Sequence, residues 1–516
     1  MGSRLRLAAR ASVLLTFALG LAACAPRIDG AAGAPASPAS LWPVPAPERT
    51  PPPDPAPPVA PAISAALARD ASATGSVRSL GLPDVIDLVL RNNPATRESW
   101  ALAQSAAASY GSARGALFPT VALDVNATRS GGGAFNTFGG TTSGTGSGGT
   151  GSIAANTAAR TQLSPTFSLS YLILDLGGRS GTIESARQRA IAADLTHNAT
   201  VLDAVLQVES MLFTYLATRA LRDAQIVSVS EAQNDLTAAT ERRRLGVATI
   251  QDVLQTQTAL AQARLQLATD EGNLLAQQGN LAFAMGLQAN TRFEIPAITA
   301  NDSVADVLAS VDTLINRAIT RRPELAEARA EAASLAAQIR VARAAALPTL
   351  SLRATNGIST TYAATTNTVR PYSIGLGFSV PIFNGLSAQY DVRAARGQYE
   401  AGAARVTTVQ QQISVQVFTS YFQLRASTER VRRSAELLTA AEQSATVALG
   451  RYREGVGTII DVLLGRSALA TARAESVQAR WEWRLALAQL AHDAGMLDLR
   501  GRPNLPLGAA TPGGPR

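Results

Sequence analysis

Four stretches of the chain alternate apolar and polar positions with a period of two. Val121, Leu123 and Val125 interleave with Ala122, Asp124 and Asn126, and Phe167, Leu169 and Tyr171 with Thr166, Ser168 and Ser170. Leu350, Leu352 and Ala354 interleave with Ser351, Arg353 and Thr355, and Leu376, Phe378 and Val380 with Gly375, Gly377 and Ser379. This pattern predicts strands with one apolar face and one small, polar face. The strand pairs span 119–128 with 163–174, and 348–356 with 371–383. Each is long enough to cross a bilayer when tilted. A soluble half-buried sheet has the same alternation. The rest of the chain is helical in pattern, however, and leaves nothing to cover an apolar sheet face. The small polar face suits a wet lumen, so these are expected to be membrane strands.

Between the strands run very long helical patterns. Gly177 to Gly246 and Leu386 to Gly455 contain no Pro. Each is about 69 residues, roughly 100 Å of helix. The return from Gly246 to Gly286 gives roughly 60 Å, and Pro94 to Leu117 roughly 35 Å, so two shorter helices stacked end to end match one long one. On the first return, Val253, Leu260, Leu267, Leu274 and Leu281 fall at seven-residue spacing, with Val462, Leu469, Ser476, Trp483 and Leu490 as counterparts. A heptad implies left-handed, coiled-coil-like packing. Ala261, Ala268 and Ala470 beside the seam permit close approach.

The chain is an internal repeat. A short turn occurs twice, as R-R-L-G-V-A-T-I-Q-D-V-L from Arg243 to Leu254 and Y-R-E-G-V-G-T-I-I-D-V-L from Tyr452 to Leu463. Gly246 matches Gly455, Thr249 matches Thr458 and Asp252 matches Asp461. Arg residues in a helix's last turn suit its dipole, and Gly is usual just past a helix end. Thr with Asp three residues on predicts a capping box for the next helix. Each copy therefore reads as the tip of a helical hairpin (243–254 and 452–463), a shape suited to docking. The repeats span 81–297 and 298–497. Length differs between the copies mainly in the Gly/Ser/Thr run from Ser130 to Ser152, as an exposed loop allows.

The N-terminus changes the picture. Arg4, Arg6 and Arg10 precede an apolar run, Ala11 to Leu21, too short to span a bilayer as a helix. Residues 1–23 read as a secretory signal ending L-A-A-C, which resembles a bacterial lipoprotein box with Cys24 as the lipid-bearing N-terminus. Cys24 is the single Cys, so no intramolecular disulfide can form. Ala25 is not the Asp of inner-membrane retention, which implies the outer membrane. Residues 24–80 are Pro/Ala-rich, an extended tether. Residues 498–516 read as a disordered tail. Losing the signal removes three Arg and no acid, lowering the net charge from +8 to +5. That balance does not argue for nucleic acid.

The twin G-x-x-T-I-x-D-V-L tips, the A-L-F-P-T and A-L-P-T strand entries, L-D-L-G-G-R (Leu174 to Arg179) and P-I-F-N-G (Pro381 to Gly385) together resemble the TolC-type outer-membrane efflux and secretion channel family over about residues 80–497. The resemblance implies a homotrimer with a 12-stranded β-barrel continued by a long α-helical periplasmic barrel. Four strands cannot close a barrel, and open edges are not tolerated in lipid. It also implies docking of a periplasmic adaptor, linked to an inner-membrane pump, by tip residues Gly246, Thr249, Asp252, Val253, Leu254, Gly455, Thr458, Asp461, Val462 and Leu463. Asp461 falls at the periplasmic entrance constriction. Capping alone is a sufficient role for Asp252, and capping and constriction can coexist at Asp461. Some members carry an Arg four residues before this Asp and a second Asp three after it; here Gly457 and Leu464 stand there, so a latch of that kind is not expected.

No enzymatic constellation emerges. His197 and His492 lie in helical patterns as surface or packing residues, and no metal set surrounds them. The chain lacks Lys and hence any phosphate-loop Lys of a motor domain. Asp175 with Gly177, Gly178 and Arg179 reads as a strand-to-helix turn rather than a phosphate loop, and Arg242 to Arg244 as helix-end charge. No cofactor is expected beyond the lipid on Cys24. Three functions remain open: the exit channel of a tripartite efflux pump, the channel of a type I protein secretion system, or a non-conducting structural envelope lipoprotein.

Overall fold

The computed structural model describes residues 80–131, 159–291, 293–296, 309–363 and 366–499. The signal segment, Cys24, almost all of the tether and tail, and the Gly/Ser/Thr run lie outside these. The chain divides into two compact units, each considered by itself: Ser109–Arg189 with Glu331–Gly402, and the remainder.

The first unit holds the sheet. Strand β1 (Thr120–Ser130) pairs antiparallel with β2 (Arg160–Leu174), β2 with β3 (Thr349–Gly357), and β3 with β6 (Tyr372–Ser379). The register aligns the alternation of all four strands. Val121, Leu169, Ala354 and Ile374 form one cross-strand row, with Tyr171, Leu352 and Leu376 along the same face. The opposite face carries rows such as Ala122, Ser168, Thr355 and Ser373. Nothing among the described residues covers the apolar face: Val121, Leu123, Val125, Ile374, Leu376 and Phe378 are all exposed. Both outer edges, β1 and β6, lack a strand partner among the described residues.

A short strand pair was not anticipated from the alternation. Strands β4 (Ser359–Tyr362) and β5 (Asn367–Val369) extend the second hairpin beside residues 161–163 of β2. Thr-rich S-T-T-Y favours extended backbone but has no apolar period to announce it. The ladder breaks at Gly357, where a Cβ would stand 2.8 Å from Thr166 Oγ1 and 3.0 Å from the Pro165 carbonyl. Pro165 has no N–H to offer, and its carbonyl accepts from Ile358 N at 3.0 Å.

Each hairpin leaves the sheet through a turn that needs positive φ: Leu176 and Gly177 after β2, Gly385 and Leu386 after β6. The Asp175 carboxylate accepts the Arg179 backbone N–H, satisfying an end of the next helix. The loop is thus a strand-to-helix turn.

The second unit is helical. Helices α1 (Leu82–Asn92), α2 (Pro94–Gly115), α3 (Gly178–Arg244) and α4 (Ile250–Ala284) recur as α5 (Val311–Arg321), α6 (Pro323–Ala344), α7 (Ser387–Arg453) and α8 (Ile459–Asp493). Four of these eight helices, α2, α3, α6 and α7, have residues in both units. Helices α3 and α7 each have 67 residues. The core joins the two copies. Val85, Ile86 and Val89 of α1 and Leu314 and Ala318 of α5 meet Val205, Leu212, Ile413, Val417, Leu281 and Leu490. The five heptad positions of α8 are all buried. Of the heptad positions on α4, Leu260 and Leu281 are buried and Val253, Leu267 and Leu274 half-buried. Gly465 allows α8 to approach α7, because a Cβ there would lie 3.1 Å from Ala445 Cα.

Candidate functional site

The two hairpin tips have the same construction. At the end of α3, Val247 N donates to Arg242 O and Gly246 N to Arg243 O, both at 2.9 Å. At the end of α7, Val456 N donates to Arg451 O at 3.0 Å and Gly455 N to Tyr452 O at 3.2 Å. These paired bonds close a helix with a left-handed residue, and the φ values of +77° at Gly246 and +78° at Gly455 explain the glycines. The next helix then starts with a capping box. Asp252 N donates to Thr249 Oγ1 at 3.2 Å while Thr249 N donates to Asp252 Oδ2 at 3.0 Å. In the second tip Asp461 N donates to Thr458 Oγ1 at 3.3 Å, and Thr458 donates through both N and Oγ1 to Asp461 Oδ2 at 3.0 Å.

Both aspartates therefore cap their helices. Asp461 is solvent-exposed, and its carboxyl is held below the usual range, first by the Thr458 backbone N–H and then by the Thr458 hydroxyl. It stays ionised at neutral pH with its free edge toward water. Val462 is buried against Tyr452 and Ile459, with Leu463 packed beside them, whereas Val253 is half-buried. Leu254 faces solvent, as do Leu245, Val247, Ile250, Val456, Ile460 and Leu464.

The tips touch through a contact the motif does not reveal. The Arg242 guanidinium lies 4.8 Å from the Tyr452 ring centroid and donates to the Arg453 carbonyl at 3.2 Å. In the sequence, Arg242 reads only as helix-end charge.

Behind the tips, α3, α4 and α8 line an open cavity of about 920 Å³. Its wall carries Leu254, Leu463 and Leu464 together with Glu231, Asp235 and Arg466. Arg466 pairs with Glu231 at 3.2 Å and Asp235 at 3.1 Å, and Arg473 grips Glu231 through two bonds of 3.0 Å. The spacing held a signal for this network. Arg466 and Arg473 are one heptad apart, and Glu231 and Asp235 one helical turn apart, so each pair forms a stripe.

Both histidines are buried, which corrects the surface option for them. His197 Nδ1 shares a hydrogen bond with Ser99 Oγ at 2.9 Å. His492 sits between Asp203 Oδ1 at 3.0 Å and Asp493 Oδ1 at 3.2 Å. Burial alone would push the imidazole down, but the two carboxylates outweigh it and raise it to about 9. His492 is thus a charged link between α3 and α8. No group of three or more potential metal ligands occurs among the described residues.

An amphipathic, open-edged sheet and two 67-residue helices, built from two copies of one motif, match the architecture of an outer-membrane channel family. The chain belongs to the outer membrane efflux protein family, whose profile matches residues 85–287 and 314–495. Protein CyaE of Bordetella pertussis is 27% identical over 430 residues, covering 82% of this chain and 86% of that protein. Outer membrane protein TolC of Salmonella enteritidis is 24% identical over 425 residues, covering 79% and 80%. Among solved structures, the outer membrane protein VceC of Vibrio cholerae shares the fold with a TM-score of 0.66 at 19% identity, covering 80% of this chain and 96% of that one.

Proposed function

We propose that this chain is the passive exit duct of a tripartite efflux pump in the bacterial outer membrane. Three copies close a twelve-stranded barrel, and their helices continue it as a tunnel through the periplasm. The observation that carries the reading is the sheet: one face mostly apolar and exposed, the other mostly small and polar, with both edges unpaired among the described residues. In lipid such a sheet is tolerated only when β6 of one copy pairs with β1 of the next. The α4 face supports the same assembly, since Leu265, Leu275 and Phe283 stand exposed on it.

The exposed apolar residues of the tips are suited to holding a periplasmic adaptor, which couples the duct to an inner-membrane pump. Their capping boxes hold the hairpins rigid for that contact. Asp461 contributes a ring of negative charge at the periplasmic mouth, and Cys24 carries the lipid that anchors the tether. No chemical step is assigned to the chain; the motive force belongs to the pump. Native mass spectrometry of the detergent-solubilised protein tests the assembly. A particle of three chains is expected; a folded monomer or dimer as the stable species would remove the basis for a closed barrel.

A further inference from the structure

Away from its ends the polar face of the sheet carries two charged residues, Asp124 on β1 and Arg353 on β3, and Arg353 is the one cation. Arg353 lies on β3 in register with Ser170 of β2 and Gly375 of β6. Both cross-strand neighbours belong to the polar rows, so Arg353 shares the face of Ser351 and Thr355. It is exposed and takes part in no ion pair or hydrogen bond recorded among the described residues. Gly375 leaves open space beside it, with nothing within 4 Å of where a Cβ would stand.

The strands offer little to neutralise this charge. Asp124 is the sole acid in the six strands; the other charged residues, Arg129 and Arg160, lie at their loop ends. Asp124 pairs with Thr166, which pairs with Gly357. It is therefore four residues along and two strands across from Arg353, roughly 16 Å away by strand spacing. That exceeds the Debye length of about 8 Å at physiological salt. Asp124 also accepts from Ser168 Oγ at 3.4 Å. A guanidinium facing hydrocarbon at this depth would be costly, which reinforces the assignment of this face to water.

We propose that Arg353 is the charge-selective residue of the membrane-spanning section and draws anionic solutes through it. The proposal rests on the barrel reading above: closing the sheet with its polar face inward sets one Arg353 from each copy at a single level of the lumen. Rings of Arg favour anions in pores because fixed positive charge replaces part of an anion's hydration. The small Ser, Thr and Gly side chains around the ring leave room for the solute to reach it. Arg353 thus adds a specificity element that the helical tips do not supply.

Thiol labelling tests the charge and the face separately. Ser351→Cys places a thiol on the polar face beside Arg353, and Leu352→Cys places one on the apolar face. Membrane-reconstituted protein is treated with anionic and cationic methanethiosulfonates of similar size, with unsubstituted protein giving the Cys24 background. Ser351→Cys is expected to react faster with the anionic reagent. Adding Arg353→Gln should lower the anion-to-cation rate ratio at least about tenfold, and Arg353→Lys should largely retain it. In a KCl gradient across a planar bilayer, Arg353→Gln should shift the reversal potential toward cation preference. If Ser351→Cys reacts, Leu352→Cys stays protected and Arg353→Gln leaves the ratio unchanged, the barrel stands and the selectivity proposal is overturned. If Leu352→Cys reacts while Ser351→Cys is protected, the barrel orientation fails and the proposal fails with it.

Discussion

Three glycines that end helices separate backbone strain from steric strain. Gly246 and Gly286 both hold left-handed φ, +77° and +72°. Alanine in that region costs about 1–2 kcal/mol from the clash of its Cβ with its own backbone. At Gly246 nothing lies within 4 Å of the new atom, so Gly246→Ala should lose about that much and no more. At Gly286 the Cβ would lie 2.6 Å from Asn92 Cβ and 3.3 Å from its Cγ. Asn92 must then move, releasing its 3.0 Å hydrogen bond from Nδ2 to the Met285 carbonyl. The lost bond adds about 1 kcal/mol, and the displacement of α1 about 1–3 kcal/mol. Gly286→Ala should therefore cost about 3–6 kcal/mol in sum. Gly495, the equivalent position in the second copy, should fall between them, since its Cβ would meet Arg321 Cβ at 3.1 Å. Denaturant midpoints of the detergent-solubilised variants give the ranking. Amide exchange over α1 reports whether that helix loosens in Gly286→Ala and not in Gly246→Ala. Asn92→Gly in the Gly286→Ala background should recover the steric part. Equal losses at 246 and 286, or no rescue by Asn92→Gly, would refute the reasoning.

Other consequences can be measured on the same preparations. Glu231→Gln and Arg473→Gln, combined in a double-mutant cycle, should show a coupling of about 1–2 kcal/mol, because their two-bond ion pair is only partly exposed; a coupling near zero would make the network incidental. His492 has a raised folded-state value of about 9 against 6.5, so its contribution is complete below about 6.5 and is lost as pH climbs through about 9. Asp194 and Glu209, each pushed up to about 7 mainly by burial, act mostly on the acid side of that range, so wild type and His492→Gln are compared by melting between about pH 8 and 9.5. Wild type should lose thermal stability across that window while His492→Gln stays flat; parallel curves would contradict the charged link. Thr458→Ala should cost about 1 kcal/mol of helix capping and let the Asp461 carboxyl rise. Block of the channel by multivalent cations should then fade at a higher pH than in wild type; an unchanged pH profile would exclude Thr458 as the group that holds Asp461 ionised.

The legible parts of this fold are those in which periodicity acts on many residues at once. Alternation over 120–130 and 372–379 marks strands because a sheet with one apolar side must place every second residue there. The Pro-free runs ending at Gly246 and Gly455 mark long helices because glycine supplies the left-handed residue that closes them. The short amphipathic helices α1 and α5 are not among the helices the pattern predicts; each is only 11 residues long, with a single residue between its end and Pro94 or Pro323. Strands β4 and β5 carry no apolar period. Contacts between the copies were the least legible. Arg242 with Tyr452, His492 with Asp203 and Glu231 with Arg473 are separated by more than 200 residues and join single side chains. No local pattern identifies such partners before the helices are placed side by side.

The central claim is that the bare amphipathic sheet forms part of a conducting duct. Single-channel recording of the purified full-length protein in planar bilayers, wild type beside Asp461→Ala, tests it most directly. Stable steps are predicted, in wild type or on release by the substitution, with weaker multivalent-cation block in Asp461→Ala. Silence from both proteins, each verified as folded and assembled, would contradict the duct and leave a structural envelope protein in its place.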